Sequence, residues 1–197
     1  MSPGSERVLT ERELNRALLE RQFLLARKKV SLPKALERIG GIQAQYAPSM
    51  YIGLWSRLDG FERDALTRAL ERRTVVQGTL MRATIHLISA GDLWPMSAAI
   101  RDARRKAFLD YRRDRVGEDD VKGAAATVRK RLKTGEQSRK ELMAGMDNTL
   151  FNGANVWLDI VRVPPSGTWE RRRADLYATA DDWLGPSTRV LKRASNC

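Results

Sequence analysis

The sequence predicts an α+β protein, mainly α with small β wings, and three observations predict it. Apolar residues recur at three- and four-residue spacing along most of the chain. Helix-capping residues stand just before those periodic stretches. β-branched residues cluster in two places only, each bounded by turn formers. With 197 residues and 42% hydrophobic content, the chain has material for two small units of roughly 100 residues each.

Thr10-Glu11-Arg12-Glu13 has the spacing of a capping box and opens a first helix, with Leu14, Ala17, Leu18 and Leu25 near one face. Ser31 and Pro33 open a second, carrying Ala35, Leu36 and Ile39, and Gly40-Gly41 stops it. After Ile42 to Tyr46, Pro48 begins a third with Tyr51, Leu54, Trp55 and Leu58 in step, and a fourth runs through Leu66, Ala69 and Leu70. Thr74 to Val76 and Thr84 to Ile88 then read as a β-hairpin broken by Gly78. Ser89 or Asp92 caps a long helix to about Tyr111, with Pro95 in its first turn. Past the joint at Gly117 to Asp120, Val121 to Leu132 is helical, and Ser138-Arg139-Lys140-Glu141 caps a helix ending near Gly145. Val156 to Val163 is apolar and partly β-branched, Pro164 to Gly167 is a turn, and Ala174 to Ala178 is its return strand. Helices followed by a small two-stranded element thus occur twice, and the nearest architecture is tandem winged-helix units. The expected division is 1–116, 117–186, and an irregular tail over 187–197.

Charge narrows the function. Thirty-six Lys and Arg against 24 Asp and Glu give a net charge of +12, with basic residues in excess in both halves. A field of that sign gathers polyanions, and nucleic acid is the first suspect. The basic face of the long helix, including Arg104, Arg105 and Arg112, is the first candidate surface, against the alternative of a solvated face. One cysteine, Cys197, excludes an internal disulfide and points to a reducing compartment, and one histidine excludes the usual Cys/His zinc sites. No 18-residue apolar run and no signal-peptide pattern is present, so a cytoplasmic location is expected.

Gln43-Ala44-Gln45 lies between a Gly-Gly pair and a proline. In an extended segment residues two apart point the same way, so two amides face one space. The alternative is a polar turn without function. His86, in mid-strand, reads as a partly buried, hydrogen-bonded histidine. No G-x-S-x-G elbow and no glycine-rich phosphate loop is present. Trp55, Trp94, Trp157, Trp169 and Trp183 read as packing residues.

Four segments, taken in order, carry a resemblance: Ile42-Gln43-Ala44-Gln45, Gly53 to Leu58, Arg82 to Leu87, and Val161 to Arg173. Over roughly residues 9 to 186 the chain resembles the AlkZ-like family of bacterial winged-helix DNA glycosylases. The resemblance implies three winged-helix units around a C-shaped basic cleft and a glutamine, an apolar residue, then glutamine or aspartate at the catalytic centre. It assigns catalysis to Gln43 and Gln45, and it links the two-glutamine form to crosslink-unhooking enzymes. Arg57, Arg82, His86, Arg162, Arg171 and Arg172 join Arg104, Arg105 and Arg112 as candidate DNA contacts. The family pattern continues past Trp183-Leu184-Gly185-Pro186 into a third unit, so a chain ending at Cys197 is expected to be truncated.

The expectation is therefore hydrolysis of the N-glycosidic bond of alkylated purines in double-stranded DNA by a cytoplasmic, nucleoid-associated monomer without metal or organic cofactor. The rival is a non-catalytic winged-helix DNA-binding protein.

Overall fold

The structure, a computed structural model, describes residues 7–173 and 175–186. The expected tail over 187–197, Cys197 and the Ala174 start of the return strand lie outside these residues.

Helix α1 (Glu11–Arg21) has the expected capping box between Thr10 and Glu13. Its apolar stripe is not core, however: Leu14 and Leu18 are both half exposed, and no residue of α1 is buried. Periodicity finds a helical face but not what covers it. Helix α2 (Leu32–Ile39) buries Ala35, Leu36 and Ile39 and ends at Gly40, whose φ of 76° suits glycine. Strand β1 (Ile42–Gln43), α3 (Ala47–Trp55), α4 (Arg63–Glu71), β2 (Val75–Thr79) and β3 (Ile85–Ser89) complete the first half. Ser89 caps α5 (Ala90–Arg112) by accepting from the Asp92 N–H, and Pro95 sits inside this helix, one turn further in than expected.

The second half contains α6 (Glu118–Leu132), β4 (Gln137–Ser138), α7 (Arg139–Leu142), α8 (Asn148–Trp157), β5 (Ile160–Arg162), β6 (Leu176–Thr179) and α9 (Ala180–Leu184). Two expectations are corrected here. The helix capped by Ser138 stops at Leu142, short of Gly145, and the apolar run from Val156 is helical at its start. Asp147 caps α8 by accepting from the Leu150 N–H, and Phe151, Ala154 and Leu158 then pack at helical spacing. A Cβ on Gly153 would lie 2.8 Å from Val121 Cγ1, so this glycine lets α8 press closely on α6.

The expectation of separate wings also needs correction. All strands join one antiparallel sheet in the order β1-β3-β2-β5-β6-β4, because β2 and β5 pair at its centre through Gln77 with Arg162 and Gly78 with Val161. Two hairpins with open edges satisfy each other's backbone groups in this way. Each half repeats one order of elements: helix, strand, helix, helix, strand, strand. In each, the first strand pairs with the last.

Three apolar clusters result, one in each half and one over the central strands. Trp94, Trp157, Trp169 and Trp183 pack against them. Trp55 does not: it is exposed, with the Arg27 guanidinium 4.2 Å above its ring. No helix among the described residues is long and apolar enough to cross a membrane.

Candidate functional site

Two glycines with positive φ, Gly40 and Gly41, turn the chain out of α2 and into β1. A Cβ at Gly41 would lie 2.7 Å from Ile88 Cγ2 and 2.9 Å from the Leu87 carbonyl oxygen, so only glycine lets the backbone come this close to β3. Gln43 then pairs with His86, and the Ala44 N–H donates to the Ile85 carbonyl at 2.7 Å. Ala44 is buried while Gln43 and Gln45 are exposed, as the period-two alternation of an extended chain requires.

The two amides differ in their bonds. Gln45 Oε1 accepts from the Ile85 N–H at 2.8 Å, which fixes the orientation of its amide, because an N–H demands an oxygen. One lone pair of that oxygen and the Nε2 group remain for other partners. The Gln43 amide has no hydrogen bond to any described residue.

Gln45 lines a cleft of about 960 Å³ whose other walls come from the β2–β3 hairpin tip, α5, α7, α8, β5 and β6. Five arginines line it, Arg82, Arg104, Arg112, Arg139 and Arg162, and among the described residues no aspartate or glutamate does. Arg82 is exposed at the tip with a φ of 53°. Arg104 and Arg162 are each 7% exposed, and burial pushes both guanidinium pKa values below the ordinary value. Arg112 lies over the Tyr111 ring at 4.7 Å.

The remaining candidates lie elsewhere. Gln43 is not among the cleft-lining residues but stands beside His86 on the strand pair. His86 is buried and donates from Nδ1 to the Thr84 carbonyl at 3.0 Å. Arg57 donates to the Gly53 carbonyl at 2.8 Å and to Ser56 Oγ, and burial lowers its pKa. Arg105 faces a second, smaller pocket, donates to the Trp157 carbonyl and lies 5.3 Å from that ring. Arg171 pairs with Asp175 at 3.2 Å.

Arg172 arrives next to the glutamines by a long route. The segment between β5 and β6 crosses to the first half, where the Trp169 N–H donates to the Tyr51 hydroxyl at 3.2 Å and the two rings meet edge to face at 5.6 Å. Arg172 then donates to the hydroxyl of Tyr46, the neighbour of Gln45, at 3.4 Å. Arg139, Asn155, Thr79 and Tyr177 are lining residues that sequence reasoning missed. No local signal marks them, since only the β5–β6 and α5–α8 packing brings them together.

Fold and cleft define an α+β protein with two like-ordered halves on one sheet and an arginine-lined groove, without an acid among the described residues, at the side of an exposed glutamine. The family model described as "DNA glycosylase AlkZ-like" matches residues 36–196, and the chain belongs to that family. Among solved structures, the chain is similar to a Streptomyces sahachiroi DNA glycosylase AlkZ, at 18% identity and a TM-score of 0.70 over 85% of this chain and 48% of that one. The chain thus spans about half the length of that structure. No curated protein matches. Among the described residues no group of His, Cys, Asp or Glu is placed to hold a metal ion.

Proposed function

We propose that this chain is a DNA glycosylase that hydrolyses the N-glycosidic bond of alkylated purines in duplex DNA, monofunctionally and without a metal. Lesions of the N7-alkylguanine type, including interstrand crosslinks, are its proposed substrates. The two halves are read as winged-helix units over 1–116 and 117–186, acting as a monomer in the cytoplasm, at the nucleoid. The single observation that carries the reading is Gln45, exposed at the edge of a cleft with five arginines and no described carboxylate. Family membership supports it.

The chemistry fits that inventory. An N7-alkylated guanine is already cationic and leaves without a general acid, so the transition state is a sugar oxocarbenium ion attacked by water. A neutral amide is a poor proton acceptor, so Gln43 and Gln45 are assigned to positioning water and presenting carbonyl dipoles to the developing charge. The arginines cannot stabilise that cation. Their role is to hold the phosphates of the DNA, which in turn offset the charge at the sugar. Arg82, Arg104, Arg112 and Arg162 in the cleft and Arg172 beside Tyr46 are placed for this. Arg57, Arg105 and Arg171 are proposed for outer contacts, and His86, buried in β3, for none.

One observation favours a second reading. Gln45 Oε1 is bonded to the Ile85 N–H, as in a purely structural glutamine, and a non-catalytic DNA-binding protein would need no more. Incubating the chain with duplex DNA containing N7-methylguanine separates the two. Free base and abasic sites are expected, whereas bound but intact DNA would mean a binding module.

A further inference from the structure

Within the cleft, Arg104 and Arg162 converge on one residue. Arg104 donates to the Thr79 carbonyl, and Arg162 donates to Thr79 Oγ1 at 2.7 Å. They come from α5 and β5, at the seam where β2 and β5 join the halves. Two like charges therefore sit close together, more than nine-tenths buried. Their protein partners do little to neutralise them. Arg162 is held by Thr79 and by a side-chain hydrogen bond with Tyr177, whose ring lies 5.3 Å away, with no carboxylate within ion-pair distance among the described residues. Arg104 is held by the Thr79 and Val156 carbonyls. The one acid nearby, Asp159, stands 3.9 Å from Arg104 and is engaged by Ser97 and by Arg101 at 3.0 Å. The Nε groups of Arg104 and Arg162 have no hydrogen-bond partner among the described residues.

A buried guanidinium stays charged at neutral pH, and without a counter-charge it is strongly unfavourable. Such a pair is stable in company with an anion, and the cleft is the open side from which one enters. The cleft is larger than a bare ion needs: about 960 Å³, with Phe108, Tyr111 and Tyr177 beside the arginines, has room for a nucleotide. Arg82, Arg112 and Arg139 stand around it, and none of them meets a described carboxylate.

We infer that Arg104 and Arg162 form a built-in site for one phosphate group, and that its occupant is a backbone phosphodiester of the DNA strand whose base is presented to Gln45. The phosphate chemistry stands on the cleft alone, and only its source rests on the DNA reading above. The forked guanidinium donors match two phosphate oxygens.

Thermal unfolding of the whole chain tests the site without reference to base release. Inorganic phosphate is expected to raise the Tm of the wild type saturably, while chloride of equal ionic strength does not. The thymidine dinucleotide dTpdT is expected to protect at lower concentration than inorganic phosphate. Arg162→Met is expected to abolish both shifts, and without phosphate to melt no lower than the wild type, because an apolar side chain replaces an unpaired charge. Should that variant not fold, Arg162→Gln serves, and its duplex binding is expected to lose about one unit of salt slope with roughly tenfold weaker affinity. Absence of protection in the wild type, or full protection in both variants, overturns the site. Protection by inorganic phosphate but not by dTpdT overturns the backbone as its source. Base release with no phosphate protection sinks this inference alone, and protection with no base release sinks the glycosylase reading alone.

Discussion

The two edge strands of the sheet, β1 and β4, occupy equivalent places in the two halves and use their polar groups in opposite ways. At β4, Ser138 caps α7 with Glu141 closing the box, and Gln137 Nε2 donates to Thr134 Oγ1 at 3.1 Å. Both of these polar side chains bond to their own sequence neighbours. At β1, α3 starts at Tyr46 with no side-chain cap, Gln43 has no described partner, and Gln45 makes a single bond across to β3. One architecture therefore gives a finished corner and an unfinished one. Unspent hydrogen-bonding capacity beside a cationic cleft is what a reaction site needs, and on the proposed function β1 rather than β4 is the working end.

The contrast can be broken by substitution. Gly41→Ala has the largest expected effect on stability. Its Cβ overlaps Ile88 and the Leu87 carbonyl at positive φ, so a loss of about 3 kcal/mol in urea unfolding is expected. A loss below about 0.5 kcal/mol would show that β1 is not held tightly on β3. Trp169→Ala removes the ring that ties the second half to Tyr51 and is expected to cost about 2 kcal/mol, less than a fully buried tryptophan because this one is half buried.

Smaller effects sharpen the other side. Ser138→Ala is expected to cost about 1 kcal/mol through its lost cap while leaving base release unchanged. The Glu141 carboxyl is held below its usual pKa by hydrogen bonds from the Ser138 side chain and backbone. The stability it adds is therefore complete above the ordinary carboxylate range and fades as pH falls through that range to the lower folded-state value. Glu141→Gln should flatten this small acid dependence, as followed by Tm against pH, and an unchanged profile would show that the box is not formed.

Much of this was legible in the sequence wherever the signal is local. The capping boxes at Thr10 and Ser138, the Gly40 stop, the β2–β3 hairpin and the exposure of Gln43 and Gln45 on either side of buried Ala44 all follow from neighbours within a few residues, whereas only Gln45 lines the cleft. What was not legible depends on distant partners. The Val156 end of α8 was read as strand because a β-branched residue carries the same local signal in both states, and packing of Phe151 and Ala154 decides it. That the α1 stripe stays exposed was not legible, because exposure is not written in periodicity. The pairing of β2 with β5 brings together Thr79, Arg104 and Arg162 from three separated segments. Arg105, one residue from Arg104, faces the other way because a single helical step turns the side chain by about 100°.

The central claim is that the amides at β1 act on the reaction and those at β4 only on the fold. Single-turnover release of N7-methylguanine, measured at matched DNA occupancy for the wild type, a Gln43→Ala/Gln45→Ala double variant and Gln137→Ala, tests it most directly. The account predicts release slowed by about 100-fold or more in the double variant, with DNA affinity nearly intact and Gln137→Ala indistinguishable from the wild type. Equal rates for the wild type and the double variant would contradict it.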